Sequence, residues 1–532
     1  MHCMLENDRL VVRSLFAVAL FGMATAGFAQ KSGGVLRLAN DENPPSASIH
    51  EEGSNIVTTP FVPVFNNLVD FDPAKNVSRQ ESIVPELATS WAWSADHKTL
   101  TFKLRRGVKW HDGKPFTSAD VKCTWDTLRG VRDAGWRRTP RAAWFSNVQE
   151  IVTEGDDQVS FRLARPQPSF LSFFAGGWSP VYPCHVDGRQ MRKMPIGTGP
   201  FMVKSIESGK MIRLVRNPNY WKPGRPYLDG IDMPIIPSPS TRNLAFIAGE
   251  TDFYTPSETL LAEVKARVPD AICQVGMSYA YTQLLMNPAV PPFGDVRVRK
   301  AAALAIDRNA FVKTKGAGLD RIGGELMPPP EGAWGLDPAE LASLPGYGPD
   351  IEKNREEART LMRQAGYGPD KPLTFVMSTR DVARYRDTAV MLLDQLSRIY
   401  MKGEMKTVDS ALWNFVLGKR SYTVAVRSRG QAMDDPDVAF YEGYSCSSKN
   451  NYSGYCDKET DALIERQSAT VDVAERKRLV KQIDRKLQME AARPTITFAA
   501  LPYCWRPYLK GYVPSLNNQY SHRRMENVWL DK

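Results

Sequence analysis

Between Pro85 and Leu128 the hydrophobic period of the chain changes from two residues to 3.6 across one turn. Leu100, Phe102 and Leu104 alternate with Thr101, Lys103 and Arg105, the pattern of a strand with one dry face and one wet face. The polar run Ser94 to Lys98 is a turn, so Trp91 and Trp93 belong to the partner strand of a hairpin. His111-Asp112-Gly113-Lys114 makes the next turn. A helix follows, with Thr117 as N-cap, Asp120 completing a capping box, and Val121, Trp125 and Leu128 on one face.

A chain of 532 residues exceeds what one hydrophobic core serves, so two or three domains are expected. Further hairpins are predicted at Val148 to Leu163 around Gly155-Asp156-Asp157, and at Ile196 to Trp221 around Glu207-Ser208-Gly209-Lys210. Leu228 to Ile236 and Thr241 to Gly249 then read as strand and helix, an α/β alternation. From Tyr279 the pattern predicts a strand, one helix capped by Asp295 and ending near Gly316, and a helix from Asn354 to Ala365 stopped by Gly366. Then come a strand at 373–377, a helix at 382–399 with Val390, Leu393, Leu396 and Ile399 on one face, and a strand from Tyr422 that ends at Arg427. Helices at 458–468 and 473–490 lead to a last strand, 495–501.

Residues 1–29 carry Arg9 and Arg13 before the apolar run Leu15 to Phe28, which closes on small residues, so they are expected to be a cleaved export signal. The run is shorter than the ~20 apolar residues of a spanning helix. Cys3 precedes it, where no lipoprotein cysteine sits, so no lipid anchor is expected and the mature chain would be periplasmic. Export lets Cys123, Cys184, Cys273, Cys446, Cys456 and Cys504 oxidise. Cys446 and Cys456 flank a polar loop and are the expected disulfide, against two free thiols. The formal charge of +10 is spread over short groups such as 105–109, 137–141 and 297–300, read as solvated surface, and no nucleic acid is expected as partner.

The chemistry-bearing motifs are mostly absent. His50, His97, His111, His185 and His522 lack metal-ligand spacing; Cys184-His185 comes nearest, and no metal or other cofactor is expected. No G-x-S-x-G elbow is present, and no catalytic residue is assigned. Gly197-Thr198-Gly199 lacks the phosphate-loop spacing and runs into Pro200.

The string from Pro85 to Leu128, the GTGPF and NPNYW elements between Ile196 and Trp221, and PPFGDVRVRKAAALAIDR from Pro291 resemble family 5 of the extracellular solute-binding proteins, receptors of oligopeptide, dipeptide and nickel ABC importers. The resemblance implies a periplasmic-binding-protein fold of type II-like, cluster C form: two α/β lobes joined by a hinge, with an extra inserted domain. It implies domain I at 30–74, 196–278 and 495–532, an inserted domain II at 75–195, and domain III at 279–494. The protein would be a monomeric carrier that takes a peptide-like, sugar-like or anionic solute to an ABC permease. Two alternatives are an exported α/β hydrolase and a chemoreceptor-partner or chaperone-like binding protein without a transport role.

Ligand contacts are expected where a strand ending at Arg427 delivers Ser428, Arg429, Gly430 and Gln431 past its carboxyl end. Asp434 opens the Asp-Pro element that follows the cleft lining in the family. In peptide-binding members an aspartate shortly before that element pairs with the peptide's α-amino group, and an ungapped reading puts Ala432 there. Arg427 and Arg429 offer planar forks to carboxylate or phosphate, on a strand face that is either cleft or surface. Trp413, Tyr279, Tyr281 and Asn55 lie on segments that border the family's cleft, and each ring has core packing as its other reading.

Overall fold

The computed structural model describes residues 30–315, 317–515 and 524–532. The leader, with His2 and Cys3, and also Gly316 and His522, lie outside the described residues.

In the first lobe a four-stranded sheet runs in the order Val35–Arg37, Gly230–Pro234, Met211–Arg216, Phe201–Glu207, and only the first pair is parallel. The hairpin about Gly209 turns where glycine takes φ +70°. Gly197 and Gly199 serve close approach rather than phosphate: a Cβ on either would collide with backbone of the Val64–Phe65 turn, and Gly199 N–H donates to Val64 O at 3.0 Å.

The inserted sheet, Ala88–Trp93, Thr99–Leu104, Gln158–Leu163, Val148–Glu154, is antiparallel throughout. Trp91 stands opposite Phe102 and Trp93 opposite Leu100, as the alternation requires. The helix Ser118–Leu128 covers the sheet and buries Val121, Trp125 and Leu128. Trp125 packs edge-on against Phe145 and Phe161, at 6.0 and 5.7 Å between centroids.

A six-stranded sheet reaches from the first lobe into the second, in the order Phe253–Tyr254, Thr495–Trp505, Ile272–Met286, Val424–Gly430, Leu373–Arg380, Met401–Val408. Its two long members run antiparallel and extend toward the first lobe, where Phe253 bridges to Leu38. Their ladder shifts register between Met277 and Tyr281 and again before Gln283. Such irregularities are where a sheet can bend.

Several expectations are corrected here. The helix expected from Asp295 to near Gly316 is two helices, Val296–Ala305 and Arg308–Thr314, because Ile306 turns extended and Asp307 caps a second start by accepting from Ala310 N–H at 2.9 Å. The helix Ala383–Ser397 buries Tyr385, Ala389, Leu392 and Leu396, and leaves Val390 55% exposed. The strand expected to end at Arg427 runs on to Gly430, so Ser428, Arg429 and Gly430 continue the ladder instead of lying in a loop, with Arg427 opposite Gln283 and Arg429 opposite Tyr281. Met401–Val408 is an additional edge strand, parallel to Leu373–Arg380.

Candidate ligand cleft

The parallel strands Leu373–Arg380 and Val424–Gly430 end on the same edge of the second sheet, the edge where open α/β sheets place ligands. Arg380, the last residue of the first of these, pairs with Glu42 of the loop after Val35–Arg37, and its Nε donates to Ser410 Oγ at 2.9 Å. The sheet edge therefore faces the first lobe.

The Asp-Pro element ties the lobes together. Asp434 accepts from Arg79 Nε at 2.8 Å and from Ala333 N–H at 2.9 Å, and its own N–H donates to Ser78 O. Burial pushes its carboxyl up to about 6 against the pull of Arg79. Asp435 takes both terminal nitrogens of Arg476 and caps the helix Pro436–Tyr444. Asp437, fully buried, accepts from Gln167 and Ser169 of the first lobe and from Gln467 and Ser468 of the second. Ala432 and Met433 pack with the first lobe's core, and Gly176 lies across from them: a Cβ there would sit 3.6 Å from the Ala432 Cβ.

Beside this seam lie arginines of both lobes. Arg429 spends its terminal nitrogens on Glu442 Oε2 at 2.8 Å and on the Val438 and Ala439 carbonyls. Arg427 lies over the Tyr452 ring, Cζ to centroid 4.3 Å, and its Nη1 is buried with no hydrogen-bond partner among the described residues. From the first lobe, Arg141 stacks on Trp178 at 3.5 Å and donates to the Glu52 carbonyl at 2.9 Å. Burial pushes both Arg427 and Arg141 down to about 10. Asn450 Nδ2 donates to Pro140 O at 2.8 Å and brings the loop 446–456 against the Arg141 turn.

His50, next to that turn, donates its Nε2–H to Pro180 O at 2.7 Å and stacks on Trp136. Burial pushes it down to about 3, which leaves a neutral ring with Nδ1 as an acceptor.

Of the residues singled out from sequence, Arg427, Arg429, Gln431 and Asp434 all lie at or beside the seam, but with different duties. Gln431 is buried and donates to Glu325 O at 3.3 Å. Trp413 belongs to a core cluster with Leu285, Leu417, Tyr422 and Ala425. Tyr281 stacks on Phe498 and donates to Glu325 Oε1 at 2.7 Å, and Tyr279 packs in the same cluster. The two tyrosines are held by core packing because the strand that carries them, Ile272–Met286, runs through the sheet's middle, and Trp413 because the helix Ser410–Gly418 packs it against that sheet. Asn55 is half-buried in the first turn of the helix Asn55–Phe61.

Cys446 and Cys456 are bonded, and so are two pairs that spacing did not single out, Cys123 with Cys184 and Cys273 with Cys504. Cys184 is thereby consumed as a metal ligand, and no group of three metal-binding side chains occurs among the described residues. Arg141, placed in solvated surface from its charge cluster, is 5% exposed. Arg79, Glu42 and Arg380 were likewise missed, since their pairing joins residues hundreds apart; only the cysteine-flanked loop pointed toward Asn450 and Tyr452.

Residues 82–451 match the model of the bacterial extracellular solute-binding proteins, family 5 Middle. The chain is 26% identical over 487 residues to the dipeptide-binding protein of Escherichia coli K12, covering 85% of this chain and 86% of that one. The dipeptide-binding protein from Pseudoalteromonas sp. SM9913 in complex with Met-Leu shares the fold at TM-score 0.83, with 22% identity over 94% of this chain and 100% of that one. The PBP AgaA from A. tumefaciens R10 in complex with agropinic acid does so at TM-score 0.81, with 22% identity over 94% of this chain and 99% of that one. The two α/β lobes and inserted sheet are the fold of those solved structures, and with the family model matched over most of its length the chain belongs to the family 5 bacterial extracellular solute-binding proteins, the solute-capturing components of ABC importers.

Proposed function

We propose that this chain captures a small polar solute other than an α-amine-anchored dipeptide, and hands it unchanged to an ABC permease. The observation that carries the reading is Ala432 packed opposite Gly176, where the peptide-binding pattern calls for an aspartate. The acids nearby are already committed: Glu42 to Arg380, Asp434 to Arg79, Glu442 to Arg429 and Asp437 to four polar side chains. A buried ammonium left without a carboxylate costs about 3–5 kcal/mol when its partner is removed. The Escherichia coli relative is a dipeptide-binding protein by name, while on the same fold one neighbour holds Met-Leu and another agropinic acid, so the fold leaves ligand chemistry to the site.

The mature protein acts as a periplasmic monomer after removal of residues 1–29. Its first domain comprises 30–74, 196–278 and 495–532, its inserted domain 75–195 and its third domain 279–494. The hinge is the pair of long strands at their register shift near Met277 to Gln283. Ligand stabilises the closed form through its higher affinity for it.

Mass spectrometry of solute released from the purified periplasmic protein, with calorimetry on Ala-Ala, tests the reading. The expected result is a non-dipeptide solute returned intact and no tight Ala-Ala binding. Tight Ala-Ala binding, or turnover of the solute, would overturn it.

A further inference from the structure

Charge is unevenly matched where the two lobes meet. On the first lobe Arg137, Arg138 and Arg192 bind the carboxylates of Glu51 and Glu52. Arg141 is left with backbone carbonyls and the Trp178 face. On the second lobe Glu442 is bound by Arg429, and Arg427 has the Tyr452 ring and an unpartnered, buried Nη1 among the described residues. Each lobe therefore presents one desolvated guanidinium that lacks a carboxylate of its own.

The two belong to one place. Asn450 Nδ2 donates to Pro140 O at 2.8 Å, one residue from Arg141, and the Tyr452 hydroxyl donates to Asn450 Oδ1 at 3.3 Å. The Tyr452 ring lies under Arg427, so a chain of contacts leads from the Arg427 guanidinium to the backbone beside Arg141. A buried charge without a counter-ion is costly. An acid group shared between them converts that cost into charge-assisted hydrogen bonds, for which planar guanidinium forks suit carboxylate and phosphate oxygens.

We propose that Arg427 and Arg141, one from each lobe, bind a single anionic group of the solute, a carboxylate or a phosphate, beside the Tyr452 ring. The anion would then bridge the lobes, so its binding and closure are one event. Burial disfavours the charged form of both arginines in the ligand-free chain, which fits a site completed by an anion. This inference rests on the solute-capture reading above.

The test is calorimetry and thermal shift on the full mature chain with inorganic phosphate, succinate, N-acetyl-Ala-Ala, Ala-Ala amide and glucose. At least one of the three anionic probes is expected to bind the wild type. Its affinity should fall about 10- to 100-fold in Arg427→Gln and in Arg141→Gln, from the loss of hydrogen bonds to a charged group. Arg427→Lys, which keeps the charge and loses the fork, should fall between. The ligand-free Tm of Arg427→Gln should hold or rise, whereas a merely structural arginine would lower it. Phosphate and succinate separate the two acid classes. Binding of glucose alone, or of an anionic probe whose affinity either substitution leaves unchanged, would overturn the anion bridge and leave capture standing, whereas binding of Ala-Ala amide alone would overturn the bridge together with the non-dipeptide reading. Absence of any bound probe, with no solute released from periplasmic material, would overturn both.

Discussion

Asn450 Nδ2 of the second lobe donates to Pro140 O of the first at 2.8 Å, and this bond holds a disulfide-closed loop against the turn that carries Arg141. Asn450 is anchored from its other side by the Tyr452 hydroxyl at 3.3 Å. The contact between the lobes and the placement of Tyr452 under Arg427 thus depend on the same short loop.

Asn450→Ala removes that tie without touching either arginine. A net hydrogen bond of this kind contributes about 0.5–1.5 kcal/mol, so solute affinity should drop about 2- to 10-fold. The loss should appear as faster release, because the closed form is what weakens. Stopped-flow dissociation of the co-purified solute checks it; an unchanged off-rate would mean that the loop is not part of closure.

The three disulfides should differ in worth. Cys273 and Cys504 are 231 residues apart in sequence, Cys446 and Cys456 only 10. The loop-entropy relation gives about 5 kcal/mol for the long closure and about 3 kcal/mol for the short one. Double serine variants measured in urea should follow that order. Only the pair at 446 and 456 should also weaken solute binding, since its loop carries Asn450 and Tyr452.

How far sequence reached follows from where each signal resides. The inserted sheet and its helix were legible because Leu100, Phe102 and Leu104 point into one core, and Val121, Trp125 and Leu128 fill the same core from the other side. Met401–Val408 was not, because as an edge strand it exposes Lys402, Glu404 and Lys406 and breaks the alternation. The site was harder still. Arg427 was found from its position near a strand end, whereas Arg141 is buried against Trp178 and the Ile49–Glu52 backbone, contacts that no local pattern announces.

Ala432→Asp tests why dipeptides should bind poorly. The new carboxylate would be buried opposite Gly176, beside arginines already bound to other acids, so the ligand-free Tm should fall by the equivalent of about 1–3 kcal/mol. Ala-Ala should restore part of that loss by supplying an ammonium. N-acetyl-Ala-Ala, which lacks the amine, should not. Equal rescue by both would show that the amine is not what the aspartate reads.

Asp484 offers a pH signature away from the seam. Its Oδ1 accepts from Glu325 N–H at 2.8 Å and from Gln488 Nε2 at 3.1 Å, while Oδ2 is buried with no hydrogen-bond partner among the described residues. Burial pushes this carboxyl up to about 7, above the ~3.9 of an unfolded chain. Folding therefore takes up a proton between about pH 4 and 7, so this residue's contribution makes the fold less stable as pH rises through that window, and the cost is complete above pH 7. Asp484→Asn keeps an acceptor for Glu325 N–H and has no charge to bury. Its Tm should match the wild type near pH 4, exceed it at pH 8, and show a shallower decline between the two. Parallel Tm curves for the two proteins across pH 4 to 8 would mean that Asp484 is ionised alike in the folded and unfolded chain.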